Sequence, residues 1–213
     1  MENCLYSSLK KITFMNKHFN IIIFLFSFSS LFSQQISYGL VGNSSFKYLE
    51  TKNEKPIHPA AGSQDVLFKI GAYGEYIFNN KLGIKLNFLF GNIKDKYHVG
   101  LERTTIATYE SSVIEVDALF KYSINKSYNK GTYIILGGKI VFIEKNKNNE
   151  FDNPYNSSNL GIMIGLGKNI FRHFQIDLTA FQSVGKYLDI EQDNSYYSAQ
   201  LNLSIDLESI LNK

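Results

Sequence analysis

Between Val66 and Phe78 the chain alternates without a break. Val66, Phe68, Ile70, Ala72, Gly74, Tyr76 and Phe78 fall on one face, and Leu67, Lys69, Gly71, Tyr73, Glu75 and Ile77 on the other. A period of two held over this length specifies an extended strand with one apolar and one mixed face, and it excludes a helix, whose period is 3.6. After the short Asn79-Asn80-Lys81 connection the pattern resumes, Leu82, Ile84, Leu86, Phe88 and Phe90 alternating with Gly83, Lys85, Asn87, Leu89 and Gly91. The two segments read as a hairpin.

The same pattern recurs along the chain. Ile114, Val116, Ala118, Phe120 and Tyr122 oppose Glu115, Asp117, Leu119 and Lys121; Ile134, Leu136, Ile140 and Phe142 oppose Tyr133, Gly137 and Lys139. Leu160 to Gly167 and Phe174 to Phe181 form two more strands, the second placing Asp177 on its polar face, and Tyr197 to Leu207 forms the last. With a first strand near Ile36 to Phe46, eight strands are expected, most of them close to the 9 to 11 residues that a tilted strand needs to cross a bilayer. Composition agrees with strands: aromatic residues make up 15% of the 213, from 17 Phe and 14 Tyr with no Trp, and Pro occurs three times.

Ahead of the strands, Asn16 to His18 supply a short basic start and Ile21 to Phe32 an apolar run interrupted by serines. This is the layout of a secretory signal, with cleavage expected after Ser33 and Met15 an alternative start to Met1. The expected organisation is a signal over 1–33 and one barrel domain over 34–213. The single cysteine, Cys4, precedes the apolar run and leaves with it, so the mature chain has no thiol chemistry. The net charge of +3 comes from lysines interspersed with Asp and Glu, which gives no footprint for nucleic acid.

Alternation alone does not say whether the apolar face looks into a soluble core or out into lipid. Three features decide for lipid. Connections after strands one, three, five and seven are expected to run to roughly ten to twenty residues and the others to be shorter, the asymmetry of a membrane barrel. Gly71, Gly83, Gly91, Gly137, Gly161, Gly165 and Gly167 all fall on the polar face, where a narrow lumen needs room. Leu119, Ile135, Met163 and Phe181 share that face with the charges, as in a packed interior. Lysine at a lipid midplane costs about 2 to 4 kcal/mol, so Lys69, Lys85, Lys121 and Lys139 are expected inside the barrel. There they would pair with Glu75, Glu115, Asp117 and Asp177, with Tyr73 beside them. Tyr76, Phe78, Tyr122, Tyr133 and Tyr197, near strand ends, are candidates for interfacial girdles.

With these strands in place the chain resembles the outer-membrane β-barrel proteins of Bacteroidetes-type bacteria, a PorT-like group related in architecture to the OmpA barrel. The resemblance rests on Leu31-Phe32-Ser33-Gln34-Gln35 and on the glycine-rich segments Tyr133 to Phe142 and Asn159 to Gly167. It implies an all-β, eight-stranded, antiparallel up-and-down transmembrane barrel in the outer membrane, surrounded by its lipid and inserted by the barrel-assembly machinery. One departure is that residues including Ile210, Leu211 and Lys213 follow the last strand, where such barrels commonly end on an aromatic residue.

No catalytic constellation accompanies the strands. His58 and His98 are expected in the first and second long loops and His173 in a short turn at the opposite end, a spacing that makes no metal site. None of the three is followed by serine two residues on, the element that membrane-embedded acyl hydrolases share. Glu144, Glu150 and Asp152 lie in an Asn-rich segment expected to be a solvated loop, without the order of a calcium loop. Gly165-Leu166-Gly167 opens no helix and so is not a phosphate cradle. The expectation is a non-enzymatic barrel with a filled lumen and no cofactor or metal, anchoring the envelope or displaying loops to an extracellular ligand. The alternatives are a soluble lipocalin-like lipid carrier and a membrane-embedded lipid-modifying enzyme.

Overall fold

The computed structural model describes residues 35–51, 58–59, 67–99, 105–125, 128, 131–144, 155–171, 173–187 and 194–211. The expected signal over 1–33, its start and its cleavage site lie outside these residues.

Eight long strands close into a barrel. They are β1 (Gln35–Thr51), β2 (Leu67–Ile77), β3 (Leu82–Val99), β4 (Thr105–Ser123), β5 (Gly131–Ile143), β6 (Ser158–Ile170), β7 (Phe174–Val184) and β8 (Asn194–Asp206). Each is hydrogen-bonded to its neighbours in sequence, and β8 returns to β1, pairing antiparallel from Gly39↔Asp206 to Thr51↔Asn194. Closure removes the sheet edges that an open meander would leave. A four-residue helix, α1 (Glu208–Leu211), follows β8.

The two ends of the barrel differ. At the turn end β2–β3, β4–β5 and β6–β7 are joined by residues 78–81, 124–130 and 171–173, and the start of β1 and α1 lie there too. Asn79 makes the first turn tight, its side-chain oxygen accepting from the backbone N–H groups of Lys81 (2.8 Å) and Leu82 (3.0 Å). At the loop end the connections are 52–66, 100–104, 144–157 and 185–193.

One connection differs from its expected form. β3 and β4 do not stop at Gly91 and Ile114 but stay paired out to Val99↔Thr105, so the second long loop is instead a hairpin ribbon that outruns its neighbours. Lys94, Asp95, Lys96 and His98 hid it, because a ribbon beyond the apolar belt has no lipid to face and needs no alternation. The two-residue strand His58–Pro59 pairs with its outer edge, setting His58 opposite His98 in backbone register, so both histidines lie on strand rather than in loops.

Inside the belt, alternation sorts every strand. Outward positions carry Phe68 and Ile70 on β2, Ile84, Leu86, Phe88 and Phe90 on β3, and Leu160, Ile162, Ile164 and Leu166 on β6, all exposed. A soluble protein rarely exposes a contiguous apolar patch of more than a few hundred Å²; here the apolar surface encircles the molecule. Tyr133 is a correction: it is buried inside the barrel and does not belong to a girdle.

Inward glycines make room for specific neighbours. A Cβ on Gly83 would run into the Tyr128 hydroxyl, and one on Gly167 into the Tyr133 ring and the Asp177 carboxylate. Gly167→Ala is therefore expected to cost about 1 to 3 kcal/mol through overpacking. Gly74→Ala, whose Cβ would meet nothing within 4 Å, should stay near neutral. The midpoints of guanidinium unfolding, read by gel mobility, give the comparison.

Candidate functional site

The lumen holds two clusters of buried charge. Nearer the turn end, Lys121 Nζ lies 2.5 Å from Glu75 Oε1, which also accepts from the Tyr128 hydroxyl at 2.5 Å. Tyr128 reaches this position from the β4–β5 turn. Burial, reinforced by the adjacent Glu75 charge, pushes its hydroxyl well above the ordinary tyrosine range, so it keeps its proton and donates. Lys85 Nζ donates to Asp177 Oδ2 (3.0 Å), Gln175 Oε1 (3.1 Å) and Ser204 Oγ (2.9 Å), and the Tyr133 hydroxyl donates to the other Asp177 oxygen. Three rings lie against the ammonium groups: Tyr73 is 4.5 Å from Lys85 Nζ, and Tyr133 and Tyr128 are 4.0 Å and 5.4 Å from Lys121 Nζ.

Towards the loop end, Glu115 takes Lys69 on one oxygen at 2.7 Å and Lys139 on the other at 2.6 Å. Lys139 also lies 3.4 Å from Asp117, whose second oxygen accepts from Asn87 at 3.2 Å. Gln200 accepts from Lys139 at 2.8 Å, and Lys69 is within 3.4 Å of Asn43 and 3.3 Å of Ser45.

Lys69, Tyr73, Glu75, Lys85, Glu115, Asp117, Lys121, Lys139 and Asp177 are thus all buried in the lumen, with Lys85 and Asp177 at 0% exposure. Each cluster holds two lysines and two carboxylates. Ionised groups at such depth persist only when paired and hydrogen-bonded, and charge balance within each cluster meets that condition. Asn87 Oδ1, Thr179 Oγ1 and Asn202 Nδ2 are buried atoms for which the described residues supply no partner.

Above the charges the lumen turns apolar and closes. Tyr155 packs edge-on to Tyr187 at 5.6 Å, Tyr187 stacks on Tyr196 at 4.4 Å, and Tyr196 meets Phe181 at 5.6 Å. Tyr155 and Tyr187 come from the two connections that follow β5 and β7. Asn156 fastens them together, its side chain donating to the Lys186 carbonyl at 2.6 Å and its backbone N–H to the Tyr187 carbonyl at 3.2 Å. The segment 144–158 was expected to be a solvated loop; at Tyr155 it is fully buried, because a large ring closes the mouth of the lumen. Glu150 and Asp152 lie outside the described residues.

Two further members of the turn-end cluster were not expected in that role: Gln175, which accepts from Lys85 and Lys121 and donates to Glu75, and Tyr128, which donates to Glu75. Tyr128 lies in a turn, outside any alternating segment, and the available signal was the inward glycine at position 83 facing it.

At the turn end the His173 ring nitrogen Nδ1 lies 2.6 Å from Ser209 Oγ, which itself donates to the Asp206 carbonyl at 3.1 Å. The pair ties α1 to the β6–β7 turn, where Asp206 Oδ1 accepts from Ser209 N at 3.1 Å as an N-cap. Among the described residues no group of three His, Cys, Asp or Glu side chains is placed to hold a metal. Nor is any helix among them long and apolar enough to cross a membrane.

An apolar exterior, a charge-balanced and filled interior and strands of spanning length define the class of fold, an eight-stranded antiparallel β-barrel of the outer-membrane type. The chain is similar to the structure of Ail, the attachment invasion locus protein of Yersinia pestis, in complex with the heparin analogue sucrose octasulfate, at 15% identity and a TM-score of 0.47, covering 81% of this chain and 99% of that one. It is also similar to Neisserial surface protein A (9% identity, TM-score 0.49, 81% and 99% covered). A third similar structure is the outer membrane protein OprG from Pseudomonas aeruginosa (13% identity, TM-score 0.44, 81% and 92% covered). No family model and no curated protein matches the chain by sequence.

Proposed function

We propose that this chain is a non-enzymatic outer-membrane barrel whose lumen is a structural plug and whose loop end is displayed outside the cell for adhesion or recognition. The observation that carries the reading is the sorting of side chains: Phe68 is 74% exposed while Lys69, next to it, is 4% exposed. In water that arrangement leaves the apolar belt unsupported, and in lipid each side chain has its solvent. A soluble lipid carrier of the lipocalin type needs the opposite sorting, with apolar faces turned inward to a ligand.

The interior supports a plug over a pore. Eight strands leave room only for side chains, and here the room is taken by two ion-paired clusters and the aromatic closure. With the lumen filled, the surface left for recognition is the loop end, where the β3–β4 ribbon rises past its neighbours. Assembly machinery would be met during insertion, and the finer placement in a PorT-like group rests on the residues around Leu31 to Gln35 and the glycine spacing of β5 and β6.

An epitope inserted within 145–154 should be detected on intact cells, and one at Asn80 only after permeabilisation. The purified protein in planar bilayers should show no steady single-channel current. Detection of both epitopes only in permeabilised cells, or a stable conductance, would overturn the display-and-plug reading.

A further inference from the structure

The apolar belt ends differently at the two ends of the barrel. At the loop end, outward positions change within two residues from apolar to polar: Phe90 to Asn92, Ile114 to Ser112, Phe142 to Glu144, Leu160 to Ser158 and Val184 to Lys186, all exposed. At the turn end β6 likewise passes from Leu166 to exposed Lys168, and Asn79, Asn80 and Asn125 are exposed, but large apolar side chains stand among them in the connections themselves. Phe78, Ile124 and Phe171 stand exposed, one in each of the three turns, and Ile210 and Leu211 on α1 complete the ring.

Phe171 is the most telling of these. It is 83% exposed and has a φ of 59°, the left-handed region that disfavours residues with a side chain. Glycine or asparagine would hold the same turn with less strain. A strained backbone that presents a phenylalanine to the outside is accounted for if something outside receives the ring. Lys81 and Lys168 are exposed at the same end, Lys81 with its ammonium 5.9 Å from the Tyr122 ring. Aromatic rings and long cationic side chains together are the residues that settle at a membrane–water interface.

We propose that the turn end is seated in the lipid headgroup layer, with Phe78, Ile124, Phe171, Ile210 and Leu211 as a ring that anchors the barrel and sets its depth, so that the turns do not project into water. The occupant of this surface is lipid because the ring is continuous with the belt. The inference rests on the membrane reading above and assigns a further partner to the turns and to α1.

The chain has no tryptophan, so single-tryptophan variants report one site each. F171W, I164W in the middle of the belt and K94W on the ribbon beyond the belt would be folded into phosphatidylcholine vesicles carrying bromine either near the headgroup or near the chain terminus. The expected result is loss of F171W fluorescence mainly with bromine near the headgroup, loss of I164W fluorescence mainly with terminal bromine, and little loss for K94W with either. If I164W is quenched while F171W is quenched no more than K94W, the anchoring ring is overturned, whether the turn lies in water or against another protein copy. If I164W is also unquenched, it is the membrane reading that fails. F171N keeps a residue suited to the left-handed turn. It should fold as well as the parent in detergent yet leave vesicles more readily on alkaline extraction, and unchanged retention would count against the ring.

Discussion

Glu115→Gln is expected to destabilise the barrel by about 3 to 5 kcal/mol, the cost of stripping a buried ion pair of one partner. Glu115 holds Lys69 at 2.7 Å and Lys139 at 2.6 Å, both at 1% side-chain exposure. Without its charge, two buried ammonium groups are left with Asp117 alone. Adding Lys69→Met removes the unmatched cation and leaves Lys139 facing Asp117, so the double variant should recover most of the loss. Glu110→Gln, at an exposed position on the β4 ribbon, should stay within about 0.5 kcal/mol of the parent. Unfolding midpoints in vesicles, with folded and unfolded forms separated by gel mobility, give all three values. Equal stability of the three variants would mean that the clusters do not hold the barrel together.

A lysine in place of Leu86 should cost about 2 to 4 kcal/mol in a bilayer, because it puts a cation near the lipid midplane. Leu86 sits in the run Ile84, Leu86, Phe88, Phe90, every member exposed on the outer face of β3. Four residues beyond the end of that run, the same change at Lys94 is already present in the natural sequence, and Asn92→Lys at the border should cost about 0 to 1 kcal/mol. The contrast separates the two readings of an exposed leucine. In a water-facing barrel Leu86→Lys would be neutral or improve solubility, and in a lipid-facing one it is among the most damaging changes available.

Much of this fold was legible because a strand's side-chain period is two, so the assignment of one residue to a face assigns the whole strand. Phe68 and Lys69 sort each other, and so do Phe120 and Lys121. The strand bounds were less legible where lipid is absent: β3 and β4 continue through Lys94, Asp95 and Lys96, where the alternation that marks a belt is not needed. Which charges share a cluster was not legible at all. Glu115 on β4 reaches Lys69 on β2, across the intervening β3, and that meeting depends on how far successive strands are staggered around the barrel. A stagger leaves no mark in any one strand. Tyr128 and Tyr155 escaped for another reason, since each fills the lumen from a connection where periodicity carries no information. Tyr128 left a trace in the glycine at 83, because an inward position without a side chain marks a neighbour that needs the space.

The central claim, that the apolar face meets lipid while the charged face is sealed inside, is tested most directly by nitroxide labels placed singly at Ile84, Leu86, Phe88, Phe90, Asn92 and Lys94 of the barrel reconstituted in vesicles. Labels at the first four positions are expected to be relaxed by oxygen, which partitions into the bilayer, and shielded from a charged, water-soluble relaxant. At Asn92 and Lys94 the preference should reverse. Free access of the water-soluble agent to Leu86 and Phe88 would contradict the account, because it would place the belt in water.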